Sequence, residues 1–374
     1  MKIIIAGDIS LRDRTAACSW NEEDLQRSLA QVVPLIKGAD HAVVNLESPV
    51  TNSSKPILKD GPVLKNNTSV LKIIKYCGFD TVTLANNHLK DYGIQGVVDT
   101  LECCKQEGLL YVGAGYIIKE ARQPVVYSDK ACKVGILNVC EHESSIAFED
   151  KAGAAPLDMA NIYYDIRELR SKVDIVIVII HGGSEHYQLP TPRMKRDYRL
   201  IADFGADVVV NHHQHCFSGY EVYDGKPIFY GLGNFFFDNP YKRNNKWNDG
   251  LLLELVLLQG KIDFRIIPYH QCDDSPIIEV RELENYKETL DSLNAIIADD
   301  TLLKDSFDRL VESKRPLCPF LPYGNHYLRA LYNRGYLPDG MSKQRKVQIE
   351  NAVSCETHRE VLLRSFEKEL HDEQ

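Results

Sequence analysis

The chain has 374 residues, 44% hydrophobic and 26% charged, the composition of an ordinary globular protein with room for one large or two modest domains. Its formal net charge of −9 argues against a general nucleic-acid binder or a protein that coats anionic membrane surfaces. No apolar run approaches the ~18 residues of a spanning helix, Met1-Lys2 leads into Ile3-Ile4-Ile5 with no signal-type cleavage site, and the 10 cysteines form no Cys-x-x-Cys pair, so the expectation is a reduced, cytoplasmic protein without a transmembrane segment.

Strand-like and helix-like runs alternate over the first two-thirds. Ile3–Ala6 reads as a strand. A helix from Glu22 to Ile36 follows, capped by Asn21, with Leu25, Leu29, Val32, Val33 and Ile36 on one face and Pro34 bending its last turn. His41–Leu46 and Asp80–Leu84 are strands around a helix at Val70–Tyr76. Ile94–Gln106 is helical and stops at Gly108, and Leu110–Val112 is a short strand. Val125–Tyr127 and Lys133–Val139 fit a hairpin across Ser128-Asp129-Lys130. After a helix at Ala160–Ser171 comes Asp174–Ile180, the most apolar strand. Thr191-Pro192 opens a helix that ends at Gly205, ahead of Val208–Val210. Ile228–Tyr230, Leu251–Leu257 and Ile262–Ile267 look antiparallel, the last two joined around Gln259-Gly260. Beyond Gln271 the periodicity is helical and charged, at Glu282–Ser313 and Ser342–Leu370, broken by Pro316, Pro319 and Pro322. Residues 1–270 are expected to form an α/β body and 271–374 a helical C-terminal extension, placed to shape a substrate entrance or simply to pack on the body.

Polar side chains collect where the strands end. The first strand runs into Gly7-Asp8-Ile9-Ser10, the second into Asn45-Leu46-Glu47, the third into Asn86-Asn87-His88. The strand ending at Ile180 leads to His181-Gly182-Gly183-Ser184-Glu185-His186, and Val208–Val210 leads to Asn211-His212-His213-Gln214-His215. In open α/β sheets ligands bind outside the carboxyl ends of the strands. Any one of these groups has an ordinary structural account as a cap, a turn residue or a satisfied core histidine. Their recurrence on successive strand ends points to one shared site. Carboxylate and imidazole together suit first-row divalent ions such as Mn²⁺, Fe²⁺ or Zn²⁺, and a bridging carboxylate suits two of them.

The order Gly7-Asp8, Asn45-Leu46-Glu47, Ala85-Asn86-Asn87-His88, His181-Gly182-Gly183 with Glu185, His213-Gln214-His215 and Gly231-Leu232-Gly233-Asn234-Phe235 resembles the CapA (poly-γ-glutamate capsule synthesis) family, whose domain is similar to calcineurin-type metallophosphoesterases. The resemblance covers about residues 1 to 270. It implies a four-layer α/β/β/α sandwich and two divalent ions. By motif, Asp8 and His215 would hold the first ion, Asn87, His181 and His213 the second, and Glu47 would bridge them. His88 would meet the leaving-group oxygen as a proton donor, or else orient Asp8. Ser10, Asn45, Glu185, His186 and Asn234 are candidates for substrate contact by their position at the strand ends; Glu185 and His186 could also be surface polar groups, and Asn234 a turn residue. The chain departs from the phosphoesterase pattern twice. Ser10 stands where that pattern has histidine, and Glu47 where it has aspartate.

Two functions follow from the resemblance. One is a metal-dependent, phosphoesterase-type hydrolase using metal-activated water on a small or polymeric anionic substrate. The other is a non-catalytic accessory role in the biosynthesis of an anionic extracellular polymer such as capsule or polyglutamate. Nucleic acid is not an expected partner, and the oligomeric state is left open.

Overall fold

The computed structural model describes residues 1–129, 132–258, 261–314 and 342–371, with single residues between 315 and 341. Lys130, the Gln259-Gly260 turn and the break at Pro316, Pro319 and Pro322 lie outside the described residues. The elements in chain order are β1 (Lys2–Ser10), α1 (Asp13–Ala17), α2 (Glu22–Leu29), α3 (Val33–Lys37), β2 (His41–Leu46), α4 (Ser69–Cys77), β3 (Thr81–Thr83), α5 (Gly93–Gln106), β4 (Leu110–Val112), β5 (Ala114–Gly115), α6 (Ile118–Ala121), β6 (Val125–Ser128), β7 (Lys133–Cys140) and β8 (Gly153–Ala154). They continue with α7 (Met159–Arg170), β9 (Ile175–His181), α8 (Pro192–Phe204), β10 (Val208–His212), β11 (Tyr220–Tyr223), β12 (Lys226–Phe229), β13 (Asn234–Phe237), β14 (Asp249–Leu258), β15 (Lys261–Gln271), β16 (Ile278–Val280), α9 (Glu284–Ala298), α10 (Asp300–Lys314), α11 (Lys343–Ser354) and α12 (Glu356–His371).

Two mixed sheets form the body. The first has the order β16-β15-β14-β1-β2-β3-β4, with β13 also paired to the end of β1; the second has the order β11-β12-β10-β9-β7-β6. Alternation along β1 shows how they stack, because successive side chains face opposite sides of a sheet. Ile3 and Ile5 enter one apolar cluster with Leu253 and Leu255 of β14 and with Ile177, Ile179, Val208 and Val210 of the second sheet. Ile4 and Ala6 enter another, with Leu25 of α2, Ile73 of α4 and Val97 of α5. Helices α7 and α8 cover the far side of the second sheet through Ile162, Ile166, Met194, Tyr198 and Ile201. The result is an α/β/β/α sandwich. Each fully buried Ile or Leu of these clusters contributes roughly 1.5–3 kcal/mol of transfer free energy.

One glycine fixes how the sheet edge is built. A Cβ on Gly7 would lie 1.8 Å from the Gly233 carbonyl oxygen, so only glycine lets β1 and the segment leading into β13 approach this closely. The Asp8 amide then donates to that carbonyl at 3.2 Å, and Asp8 pairs in register with Asn234.

The expected single helix at 22–36 is two helices. Ala30 to Val32 form a turn, and Pro34 sits in the first turn of α3, where a missing amide proton costs nothing. Strand β12, expected to be antiparallel, is so against β11 but runs parallel to β10. The short elements α1, β5, α6, β8, β11, β13 and β16 carry too few residues to show a period. Strand β16 extends the first sheet past residue 271 by pairing with β15. Among the described residues no helix is long and apolar enough to cross a membrane.

Candidate metal centre

Strands β1 and β2 of the first sheet and β9 and β10 of the second end at the same edge of the sandwich, where the two sheets face each other. Asp8 and Glu47 come from the first sheet, His181, His213 and His215 from the second. Among the described residues, two groups bring ligand atoms within 4.8 Å of one another: Glu47, His181 and His213, and Asp8, Glu47 and His215. Glu47 belongs to both. All five side chains are buried.

The hydrogen bonds hold these groups in place. Asn45 Nδ2 donates to Asp8 Oδ1 at 2.7 Å and lies 3.3 Å from His181 Nδ1, while Thr83 donates to Asn45 Oδ1 at 3.0 Å. His181 Nε2 is 3.1 Å from Asn87 Oδ1 and 3.1 Å from His213 Nδ1, so three donor atoms from β9, β10 and the β3 end meet at one point. His215 Nδ1 pairs with Asn234 Oδ1 at 2.9 Å, which leaves Nε2 directed at Glu47 Oε1, 3.6 Å away. Backbone strain accompanies this arrangement. Ser48, His186, His213 and His215 all have positive φ, of 93°, 63°, 96° and 54°. Left-handed conformations cost non-glycine residues on the order of 1–3 kcal/mol each and cluster at functional sites.

Glu47 is the decisive residue. Both of its carboxylate oxygens are buried and have no hydrogen-bond partner. Burial pushes its pKa well above the usual carboxylate range, and the charges of Asp8 and Glu185 push the same way. An unpaired buried carboxylate is expensive unless it binds a cation. The histidines are electrostatically suited to the same cation. Burial, reinforced by the neighbouring imidazoles, lowers His181 well below its ordinary value, and His213 is lowered to about 4, chiefly by burial. Both are therefore neutral near pH 7, the form that ligates metal.

The structure gathers Asp8, Glu47, Asn87, His181, His213 and His215 into this centre. His88 lies at its margin, with Nε2 3.8 Å from Glu47 Oε1. Its Nδ1 is 2.7 Å from Asp91 Oδ2, whose other oxygen takes a 2.7 Å hydrogen bond from Lys59. No contact of His88 with Asp8 is present among those that hold the ring. Ser10 and Asn45, expected at substrate, are fully buried beneath the ligand side chains; Ser10 Oγ bonds Ser48 Oγ at 3.0 Å, and Asn66 Nδ2 reaches the same Ser48 hydroxyl at 2.8 Å. Asn234 is buried too and spends its amide on the His215 and Trp247 carbonyls. Glu185 is exposed at the rim, and His186 stacks at a tilt over Trp247 with ring centroids 5.6 Å apart.

Sequence reasoning missed Lys59, Asp91 and Trp247, and it named His212 in the strand-end run without giving it a role. His88-x-x-Asp91 was the only local sign of the Asp91 pairing. His212 is buried with both ring nitrogens unpartnered, 4.0 Å from Asp8 Oδ1. The cleft leading to the centre is lined by Lys59, Asn87, His88, Glu143, Glu185 and His213, and on its far side by Asn351 and His358.

The chain is similar to several known proteins. A family model described as bacterial capsule synthesis protein PGA_cap matches residues 2–239. The PGA biosynthesis protein CapA of Bacillus subtilis (strain 168) is 32% identical over 254 residues, 66% of this chain and 66% of that protein. The capsule biosynthesis protein CapA of Bacillus anthracis is 30% identical over 255 residues, 66% of this chain and 61% of that protein. The chain thus spans somewhat under two thirds of the length of these relatives. A crystal structure of 5'-nucleotidase from Candida albicans SC5314 is similar over 83% of this chain and 58% of that one, at 10% identity and a TM-score of 0.42. The family match runs from β1 through the end of β13, so it contains every strand end that feeds the centre, and the chain belongs to the bacterial capsule synthesis protein family, PGA_cap.

Proposed function

We propose that this chain is a metal-dependent hydrolase of a phosphoester or a related anion, acting in the synthesis of capsule or poly-γ-glutamate. One observation carries the reading. Glu47, with two unpartnered buried oxygens, stands between two groups of neutral imidazole and carboxylate donors. Asp8, Glu47 and His215 would hold one divalent ion; Glu47, His181, His213 and Asn87 would hold a second. Mn²⁺, Fe²⁺ or Zn²⁺ suits such a mixed oxygen and nitrogen set. When bound, divalent ions supply Lewis acidity and make water a nucleophile near neutral pH.

The chain's own residues do the rest. Asn45 and Asn234 fix Asp8, His181 and His215 from below. The Asp91 carboxylate can only accept, so His88 donates to it from Nδ1 and presents Nε2 to the reacting group. With Nδ1 protonated, Nε2 of the neutral ring is an acceptor, so it would give a proton to the departing oxygen only from the imidazolium, a form that burial and the Lys59 charge disfavour and the Asp91 contact favours. Lys59 locks Asp91 and so sets the ring plane. Glu185 and His186, at the rim, are placed to meet substrate.

The test is metal content with turnover. Purified protein should carry Mn, Fe or Zn by elemental analysis and hydrolyse bis-p-nitrophenyl phosphate with added Mn²⁺. His213→Ala should lose the metal, and His88→Gln should keep it and lose turnover. Full metal retention in His213→Ala would defeat the proposal. An accessory, non-catalytic role is favoured by one feature. Ser10 replaces an imidazole and points at Ser48, so the first group offers one strong donor fewer. Metal binding without turnover on any phosphoester would select that reading.

A further inference from the structure

The C-terminal helices lie outside the span matched by the family model, yet they reach the candidate centre. Two adjoining clefts share Lys59, Asp60, Glu143 and Asn351 and therefore form one groove. It begins at His88 and His213 and runs between the 57–62 loop and α11. Asn351 of α11 and His358 of α12 face the metal end of this groove and hydrogen-bond to each other, Nδ2 to Nδ1, at 3.1 Å. Glu350, Val347 and Ser354 line its outer part.

The helix pair is fastened to the body on its other side. Thr357 Oγ1 donates to Glu141 Oε1 at 2.7 Å, and Arg193 pairs with that same oxygen. Glu360 accepts from Thr191 Oγ1 at 2.5 Å, and His142 meets Glu356 at 2.5 Å. Gln344 reaches the Lys59 carbonyl at 3.3 Å, which ties α11 to the opposite lip of the groove. The wall is thus held at a fixed distance from the centre rather than resting loosely over it.

The charges of the groove are one-sided. Asp60 and Glu350 line it, joined by Glu143, whose pKa is pushed by burial up to about 7 so that it is only partly ionised at neutral pH, and Glu185 stands at the metal end. Among the described residues the one lysine in its lining, Lys59, is already paired with Asp91. A polyanionic tail would meet like charge along this path, whereas the positive charge of bound ions acts only at the inner end.

We infer that α11 and α12 form the substrate-binding wall, that Asn351 and His358 are specificity-determining contacts, and that the non-reacting part of the substrate is a hydrogen-bonding, cationic or uncharged tail rather than a polyanion. The inference rests on the proposed hydrolase reading for the placement of the anionic head at the metal centre. It adds a prediction about the other end of the substrate.

The test compares two six-carbon phosphate monoesters whose tails differ in charge, glucosamine 6-phosphate and 6-phosphogluconate. Calorimetric titration of the full Mn²⁺-loaded chain should show glucosamine 6-phosphate binding roughly tenfold more tightly. Glu350→Lys, on the exposed side of α11, should shrink that ratio to about twofold or less. Asn351→Ala and His358→Ala should weaken glucosamine 6-phosphate about fivefold more than they weaken inorganic phosphate. Equal or tighter binding of 6-phosphogluconate by the unmodified chain would overturn the inference. So would a ratio that none of the three variants moves. Turnover is read separately. Tail selectivity without hydrolysis of either ester would defeat the hydrolase proposal and leave the wall standing. Hydrolysis of both without selectivity would defeat the wall alone.

Discussion

A single carboxylate illustrates how much of this protein's chemistry is decided at one position. Glu47 is buried with neither oxygen bonded, so in the metal-free protein it opposes folding. Glu47→Gln replaces the carboxylate by a neutral amide of the same shape. The metal-free variant should be more stable by about 1–3 kcal/mol in denaturant unfolding with chelator present. The same variant should gain nothing when Mn²⁺ is added, because the bridging ligand is gone. A Glu47→Gln protein that is destabilised without metal, or stabilised by it, would show that the residue is an ordinary core group. At this scale the sequence was most informative. Asp8, Glu47, Asn87 and the histidines stand at the ends of β-branched runs, where a strand leaves the core. Asn45, Ser10 and Asn234 stand at the same ends and look identical in sequence, yet they turn inward. Asp8, Asn45 and Asn234 pair in register and so share a face of the first sheet; what separates them is that Asn45 and Asn234 spend their amides on neighbouring groups, which only the tertiary contacts reveal. Asn351 and His358 were illegible, since a polar helix bears no mark of what it covers.

Secondary elements bring two further constraints. The close approach of β1 and the segment before β13 leaves no space at Gly7 for even a methyl group. Gly7→Ala must displace Gly233 and with it Asp8 and Asn234, which pair across the contact. The expected cost is roughly 3–5 kcal/mol, measured as a lower midpoint of thermal or denaturant unfolding, together with reduced metal content. A fully stable Gly7→Ala protein would mean that the two segments part without consequence. The docking of α12 should respond to pH through His142. Its imidazole sits against Glu356, which raises its pKa above the ordinary value; burial and Arg359 oppose this, and Asp158 adds to it. A group whose folded pKa is raised contributes fully below its unfolded value of about 6.5 and loses that contribution as pH rises through the folded value. The His142 ring is about one-third exposed, so solvent screening keeps the effect modest. Amide exchange in α12 should therefore be better protected at pH 6 than at pH 9 after correction for intrinsic rates. His142→Ala should flatten that difference, leaving whatever Glu360, itself raised by burial, contributes at lower pH. Unchanged pH dependence in His142→Ala would assign the effect elsewhere. Long periodic elements such as α5 and β9 were readable to within a residue or two. The break between α2 and α3 was not, because a proline late in one helix and a proline early in the next give the same string.

For the whole molecule, alternating strands and helices told the class of the fold but not how the strands divide between two sheets. Strand β6 opens the second sheet, yet β14 returns to the first and pairs antiparallel with β1, more than two hundred residues away in sequence. No local propensity encodes that pairing, since either sheet would bury β14 equally well by composition. The division matters for function because the ligands come from both sides. Asp8 and Glu47 belong to the first sheet, His181 and His213 to the second, and without metal the sheets meet at this edge through a few polar contacts such as Asn45 with His181. Bound ions would pin the two sheets together where the hydrophobic interlayer ends. Stabilisation by a ligand that binds only the folded state is about 2.7 kcal/mol at a free concentration one hundred times its dissociation constant. In a body of this size that corresponds to a rise in Tm of roughly 3–5 °C. Calorimetry of the Mn²⁺-loaded chain against the same chain in chelator should show this rise. Because His213→Ala removes the second sheet's share of the ligands, its melting should be indifferent to chelator. If the native chain melts at the same temperature with and without chelator, no ion joins the sheets, and the buried carboxyl of Glu47, without a hydrogen bond, requires another explanation.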